Sequence, residues 1–406
     1  MTYGGSYQTL RPPMTSTLTI FLAFLRLGCT SFGGPIAHLG YFRSEFVNRR
    51  KWLSDEAYAD IVALAQFVPG PASSQTGFAL GLMHGGIPGG LAAWTGFTLP
   101  SALLMLLAAT GLSYAQNSAA QGVIHGLKLL AVAVVAQAVW SMGRSLCPDR
   151  QRAGLAFLAA AVLIAMPSSG LQLAVIAAGA LFGLVSLRSK TQTIPPSFGI
   201  RISQTSAFVA ICAFFLLLAG LPAVAAISHD GVALLANAFY RTGALVFGGG
   251  HVVLPLLQET VVTPGWVGHD DFLAGYGAAQ ALPGPLFTVA AFLGAKSSVG
   301  PGGLAGALVA LIAIFSPGML LVYGVLPFWD RLRTRTSVRG ALDGVNAAVV
   351  GVLGAALYEP IWTSTILRPL DAALALLAFA ALTVARLPVF VVVAMSAATG
   401  IALTMI

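Results

Sequence analysis

The sequence predicts an all-α polytopic membrane protein made of two homologous halves in inverted topology, each half with re-entrant or broken helices. Three observations carry this reading: an apolar composition, a tandem repeat, and a reversal of loop charge between the repeats. Of 406 residues, 57% are hydrophobic and 8% charged. Ordinary soluble domains carry about 25% charged residues. The 21 basic and 13 acidic residues are too few to coat the two or three soluble domains that this length would form. That excludes a soluble enzyme, a nucleic-acid binder and a secreted scaffold. The net charge of +8 fits loop Arg and Lys held on the cytoplasmic side.

The repeat is explicit. Residues 26–34 read RLGCTSFGG and residues 241–249 read RTGALVFGG. Ala65-Gln66-Phe67-Val68-Pro69-Gly70-Pro71 matches Ala279-Gln280-Ala281-Leu282-Pro283-Gly284-Pro285. Trp52 matches Trp266, each just ahead of an acidic pair, and Pro88-Gly89-Gly90 matches Pro301-Gly302-Gly303. The offset drifts only from 215 to 213 across these matches. The expected division is a first repeat over 1–202, a linking transmembrane span within 203–230, and a second repeat over 231–406.

Loop charge gives orientation. Arg43, Arg49, Arg50 and Lys51 follow the first FGG element, and Arg144, Arg150 and Arg152 lie further on. In the second half, 258–271 has no Lys or Arg, while Arg331, Arg333, Arg335 and Arg339 occupy the counterpart of a loop without basic residues. Matching loops therefore face opposite sides, as in secondary transporters with inverted repeats.

The elements follow in order. Segments 56–68 and 72–84 flank Pro69-Gly70-Pro71, and each is too short to cross a hydrocarbon core of about 30 Å. Pro lacks an N–H and Gly tolerates positive φ, so the helix breaks there. The FGG elements, Phe32-Gly33-Gly34-Pro35 and Phe247-Gly248-Gly249-Gly250, form second hairpins by the same logic. Full spans are expected near 91–112, 124–142, 153–166, 171–187, 203–222, 303–326, 340–358, 370–385 and 388–405, nine in all. The apolar run from Leu18 has no cleavage site after it and reads as a retained membrane segment. The spacings Gly81/Gly85, Gly302/Gly306 and Gly340/Gly344 read as helix-packing contacts. Cys29, Cys147 and Cys212 form no CxxC pair and read as small buried apolar residues.

Irregular backbone at membrane depth survives only when buried in protein or lining a wet cavity. Each break leaves a helix N-terminus with free N–H groups, which attracts anions. The candidate anion site comprises Ser31, Phe32, Gly33, Gly34, Gln66, Pro69, Gly70, Pro71 and Ser73 of the first half. From the second half it takes Phe247, Gly248, Gly249, Gly250, His251, Gln280, Pro283, Gly284, Pro285 and Thr288. Arg26 and Arg241 either strengthen this site or snorkel to the interface. Gln66 and Gln280 either donate to the anion or cap carbonyls at the tips. Lys128 and Asp343, taken as repeat counterparts, are candidates for ion coupling, with Arg339 as an alternative partner for Asp343. His38, His84, His125, His229 and His269 read as interfacial. No Walker A, H-E-x-x-H or G-x-S-x-G motif is present, and neither catalytic residues, cofactor nor metal are expected.

With FGG and PGP duplicated in this way, and Trp52-Leu53 followed by Asp55-Glu56, the chain resembles the chromate ion transporter family in its long two-domain form. The resemblance implies two homologous membrane domains in opposite orientation. It also implies export of chromate across the inner (cytoplasmic) membrane, driven by membrane potential or a proton gradient, with chromate resistance as the result. Its partners would be the oxyanion, the lipid bilayer and coupled protons, with no nucleic acid; a homo-oligomer stays open. The second copy departs from the motif at Pro35, where it has Gly250. Residue types do not separate chromate from sulfate. A sulfate or related oxyanion carrier and an anion channel stay open as alternatives.

Overall fold

The computed structural model describes residues 15–32, 34–114, 118–166, 169–187, 202–247, 253–332 and 335–403. All regular structure among them is helical. The first repeat contains α1 (Thr17–Thr30), α2 (Gly34–Phe42), α3 (Asp55–Phe67), α4 (Ala72–Tyr114), α5 (Ser118–Leu146), α6 (Arg150–Ala165) and α7 (Ser169–Ser186). Helix α8 (Gln204–Ser228) links it to the second. There follow α9 (Gly231–Leu245), α10 (Val253–Leu257), α11 (His269–Ala281), α12 (Val289–Lys296), α13 (Gly303–Val325) and α14 (Trp329–Leu332). The chain ends with α15 (Thr336–Ala356), α16 (Thr363–Thr365), α17 (Pro369–Thr383) and α18 (Val389–Leu403).

Polar caps set several helix starts. Ser54 Oγ accepts from the Ala57 N–H, Asp149 from Arg152, and Asp230 from Ala233. Each satisfies a donor that a helix N-terminus leaves unpaired. Helix α4 holds an arm and a span in one run. It kinks at Gly86, whose φ of 60° and ψ of −156° are not helical, just ahead of Pro88. The two parts then fold back on each other: a Cβ at Gly81 would sit 2.3 Å from the Gly89 carbonyl oxygen. Helices α12 and α13 repeat the arrangement, where a Cβ at Gly294 would sit 2.3 Å from the Gly306 oxygen. The small-residue spacings are therefore packing contacts.

Among the described residues, five stretches are long and apolar enough to cross a membrane: Ala72–Gly111, Gln121–Leu146, Gln204–Ser228, Gly303–Phe328 and Thr336–Glu359. The other four predicted spans correspond to α6, α7, α17 and α18, of 16, 18, 15 and 15 residues. At about 1.5 Å per residue these reach less than the roughly 30 Å core. Their outer faces are apolar, with Phe157, Leu181 and Leu376 exposed, as are Phe215 and Leu216 on α8. An apolar exterior of this extent suits lipid.

The short helices are exchanged between repeats. Helices α6 and α7 of the first repeat pack on α15 of the second, and α17 and α18 pack on α5 of the first. Close glycine contacts seat both pairs. A Cβ at Gly344 would lie 2.0 Å from the Gly179 oxygen, and one at Gly126 2.0 Å from the Ser396 oxygen. Equivalent contacts also recur at the opposite end of the repeats. Gly28 on α1 faces the Phe97 carbonyl of α4, as Gly243 on α9 faces the Ile314 carbonyl of α13.

Three expectations change. Cys29 and Cys212 are exposed, and Cys147 is half-buried. His38 and His84 are buried, 1% and 0% exposed, and not interfacial. The ring of His84 stacks on Trp52, and its nitrogens meet the Leu80 and Trp52 carbonyls. His38 lies edge-on to Phe97, in an aromatic wedge with Phe24, Phe42 and Phe46 that fixes α2 against α1 and α4.

Candidate functional site

The helical breaks meet one another across the two repeats. Helix α3 ends at Phe67 and α4 starts at Ala72, with Pro69-Gly70-Pro71 between them. In the second repeat α11 ends at Ala281, and Pro283-Gly284-Pro285 precedes a single 3-10 turn over Leu286–Thr288. Gly70 and Gly284 have φ of 128° and 101°, a region that strongly favours glycine. The Gly70 N–H donates to the Val246 carbonyl at 2.7 Å, and the Gly284 N–H donates to the Ser31 carbonyl at 2.9 Å. Ser31 and Val246 are the C-caps of α1 and α9. Each PGP tip is thus locked onto the FGG helix end of the other repeat.

This lock uses the donors that the sequence offered to an anion. The glycine N–H groups at both tips are occupied by carbonyls. What remains open is the first turn of α4. Gln75 N–H already bonds the Pro71 carbonyl, which leaves the Ala72, Ser73 and Ser74 N–H groups with no acceptor inside the helix. Gln75 Nε2 closes the tip from behind by donating to the Pro69 carbonyl at 2.7 Å. On the second-repeat side, Thr288 Oγ1 donates to the Pro285 carbonyl at 2.8 Å.

Buried polar side chains gather beside the first turn of α4. His38 Nδ1 lies 3.4 Å from Ser73 Oγ. Ser31 Oγ, His38 Nε2, Ser74 Oγ and Thr98 Oγ1 are buried with no hydrogen-bond partner. A Cβ on Gly284 would meet Ser101 Oγ at 2.7 Å and the Phe97 carbonyl at 3.3 Å, so the opposite tip closes the same space. Buried hydroxyls and imidazole atoms without partners are costly and mark a place where something polar belongs.

The candidates of the sequence divide accordingly. The structure brings Ser31, Pro69, Gly70, Pro71, Ser73, Pro283, Gly284, Pro285 and Thr288 to the crossing. Gly34 opens α2 with φ of 78°. Phe32 packs against Phe390 of α18, with ring centroids 5.4 Å apart. Phe247 is half-buried beyond the end of α9. Gly33, Gly248, Gly249, Gly250 and His251 lie outside the described residues.

Other candidates sit elsewhere. Arg26 and Arg241 are exposed, and no hydrogen bond or ion pair of the described residues ties their side chains to the crossing. Arg26 shares its face of α1 with exposed Leu18 and Leu22, away from the buried stripe of Ile20, Phe24 and Leu27. Gln66 is exposed, whereas Gln280 is buried and bonds Tyr276. Lys128 pairs with Asp270 of the second repeat. Asp343 pairs with Arg152 at 2.6 Å and not with Arg339. Both proposed coupling residues are therefore committed to ion pairs between repeats.

Sequence reasoning missed His38, Thr98, Ser101 and Asp60. Asp60 is a buried acid that accepts from the Trp329 indole of the second repeat at 3.0 Å. The available signal was asymmetry: each of these polar residues stands where the second repeat is apolar or glycine.

Known proteins agree with this duplicated architecture. A family model described as Chromate transporter matches residues 18–184 and again 233–401. A probable chromate transport protein of Synechococcus elongatus is 30% identical over 339 residues, covering 82% of each chain. The chromate transport protein of Pseudomonas aeruginosa is 28% identical, over 86% of this chain and 82% of its own. That of Cupriavidus metallidurans is 28% identical, over 88% and 85%. No solved structure matches. Two matches of one family model, each containing one of the locked tips, account for nearly the whole chain, which belongs to the chromate transporter family.

Proposed function

We propose that this protein is a secondary active transporter that exports chromate across the cytoplasmic membrane and so confers chromate resistance. The membrane potential or a proton gradient drives it. The observation that carries this reading is the reciprocal lock of Gly70 on Val246 and Gly284 on Ser31. It holds irregular backbone and unpartnered polar atoms at the contact between two membrane repeats, where a rocking motion of one repeat against the other gives alternating access. The inverted orientation, with 43–51 inside and 258–271 outside, belongs to the same reading. So does the division into repeats over 1–202 and 231–406 about a linking span.

Radiolabelled chromate flux into inverted membrane vesicles tests it, with sulfate as competitor and an uncoupler as control. Energised uptake that collapses with the uncoupler is the expected result. Flux that follows only the chromate gradient makes the protein a channel. Complete competition by equimolar sulfate makes it a general oxyanion carrier.

A further inference from the structure

We propose that the first repeat alone holds the oxyanion, between the first turn of α4 and His38, and that His38 carries the proton coupled to its passage. This rests on the transport reading above. The repeats are alike in backbone and unlike in polarity at the crossing. Ser31, His38 and Ser73 correspond to Val246, Val253 and Phe287 in the repeat, and the matched Gly28–Phe97 and Gly243–Ile314 contacts set Thr98 opposite Phe315. All eight are buried. The second repeat presents a hydrophobic wall, and the first presents hydroxyls, an imidazole and free helix N–H groups.

His38 is suited to the task by its surroundings. With Nδ1–H donating to Ser73 Oγ, the Nε2 lone pair faces no partner. One proton added at Nε2 makes an N–H donor and a positive charge within reach of an anion on the α4 terminus. One N–H bond forms when the proton enters and breaks when it leaves; no other bond changes. No hydrogen bond or ion pair of the described residues brings a Lys or Arg to these atoms. The charged and titratable groups on the surrounding elements are engaged elsewhere. Arg43 bonds Asp55, and Glu45 bonds Arg49 and Arg50. Tyr58 donates to the Leu39 carbonyl, and Asp60 accepts from Trp329. Arg26 is exposed, and the Pro283-Gly284-Pro285 tip carries no ionisable side chain. Burial keeps the imidazole neutral while the site is empty, and a dianion on the α4 terminus draws the proton in with it, so the imidazolium forms only in the loaded site.

The test is the ratio of KM for chromate in His38→Gln to that in the wild type, in proteoliposomes from pH 5.5 to 8. Chromate's own protonation is common to both proteins and cancels in the ratio. The proposal expects a ratio of about tenfold or more at the acid end, falling toward one as pH rises and the proton no longer enters with the anion. A ratio that stays flat across the range overturns it. If His38→Gln does not reach the membrane, Ser73→Ala decides, because it removes the Nδ1 partner and must displace the pH at which KM changes. An unchanged profile there also overturns the proposal. A wild type that moves no chromate at any pH overturns the transport reading itself, a separate result.

Discussion

The Arg152 guanidinium of the first repeat lies 2.6 Å from the Asp343 carboxylate of the second. Its repeat-related partner is the pair of His125 with Asp371, at 3.0 Å. The Gly122/Gly126 and Gly340/Gly344 contacts align the two long helices so that His125, and not Lys128, occupies the position of Asp343. The polarity is reversed. In one pair the long helix carries the base and the exchanged hairpin the acid, and in the other the reverse.

Charge exchange tests the first pair. Asp343→Arg alone places three guanidinium groups together, with Arg152 and nearby Arg339, and should lower the melting temperature of the purified protein. The double variant Arg152→Asp with Asp343→Arg should recover most of the loss. The pair is partly exposed, so its removal is worth about 1–2 kcal/mol, between surface and buried values. Equal melting of single and double variants would show that the pair does not fasten the hairpin.

The tip glycines should be intolerant. At Gly70 a Cβ would sit 2.6 Å from Gln75 Nε2, in backbone with φ of 128°. Gly70→Val should abolish chromate flux while the protein still inserts, and Gly284→Val should do the same. Each variant meets strain of about 1–3 kcal/mol before any steric clash. Wild-type flux in either variant, at equal membrane abundance, refutes the role of the lock.

The paired glutamines should behave differently. Gln66→Ala is expected to be silent, since Gln66 is exposed. Gln280→Ala strands the buried Tyr276 hydroxyl and should cost about 1–3 kcal/mol. Thermal melts of both variants check this. By the same logic Arg26→Lys and Arg241→Lys should leave KM unchanged, and the Ala variants should act on abundance.

The π-helical turns of Arg43–Arg49, ahead of α3, should loosen in acid. Burial pushes the Glu45 carboxyl up, but hydrogen bonds from Arg50 and Arg49 outweigh it and hold the group below the ordinary carboxylate range. A depressed folded value means stabilisation that is present above the unfolded pKa and lost as pH falls through the folded one. Hydrogen exchange over residues 43–53 should therefore quicken as pH drops below about 4, after correction for intrinsic rates. In Glu45→Gln that acid-dependent step should vanish.

Sidedness is tested by labelling. Single cysteines in 43–51 and in 258–271, placed in a background lacking Cys29, Cys147 and Cys212, should react from opposite faces. Reaction from one face refutes the inverted arrangement.

The sequence made the repeat, the PGP breaks and the glycine contacts legible because each is written in local backbone chemistry. Consecutive Pro-Gly-Pro stops a helix whatever packs around it, whereas single prolines such as Pro100 and Pro317 sit inside helices. The partners of the breaks were not legible, since Gly70 to Val246 and Gly284 to Ser31 join residues from different repeats. The burial of His38 was hidden for a related reason: a nine-residue helix that runs straight on into the π-helical turns of Arg43–Arg49 has no clear polar face. The lone residues Arg26 and Arg241 misled, because their repetition is explained as well by a shared surface as by a shared site.

The exchanged hairpins tie the order of synthesis to the order of assembly. While the ribosome is still making the second repeat, α6 and α7 are already out, but their partner α15 does not yet exist. Helix α5 waits longer still, until α17 and α18 emerge after α15. For much of translation the nascent protein therefore holds glycine-lined helix faces open to the bilayer or to the insertion machinery. A stop codon anywhere before α17 leaves both repeats unfinished.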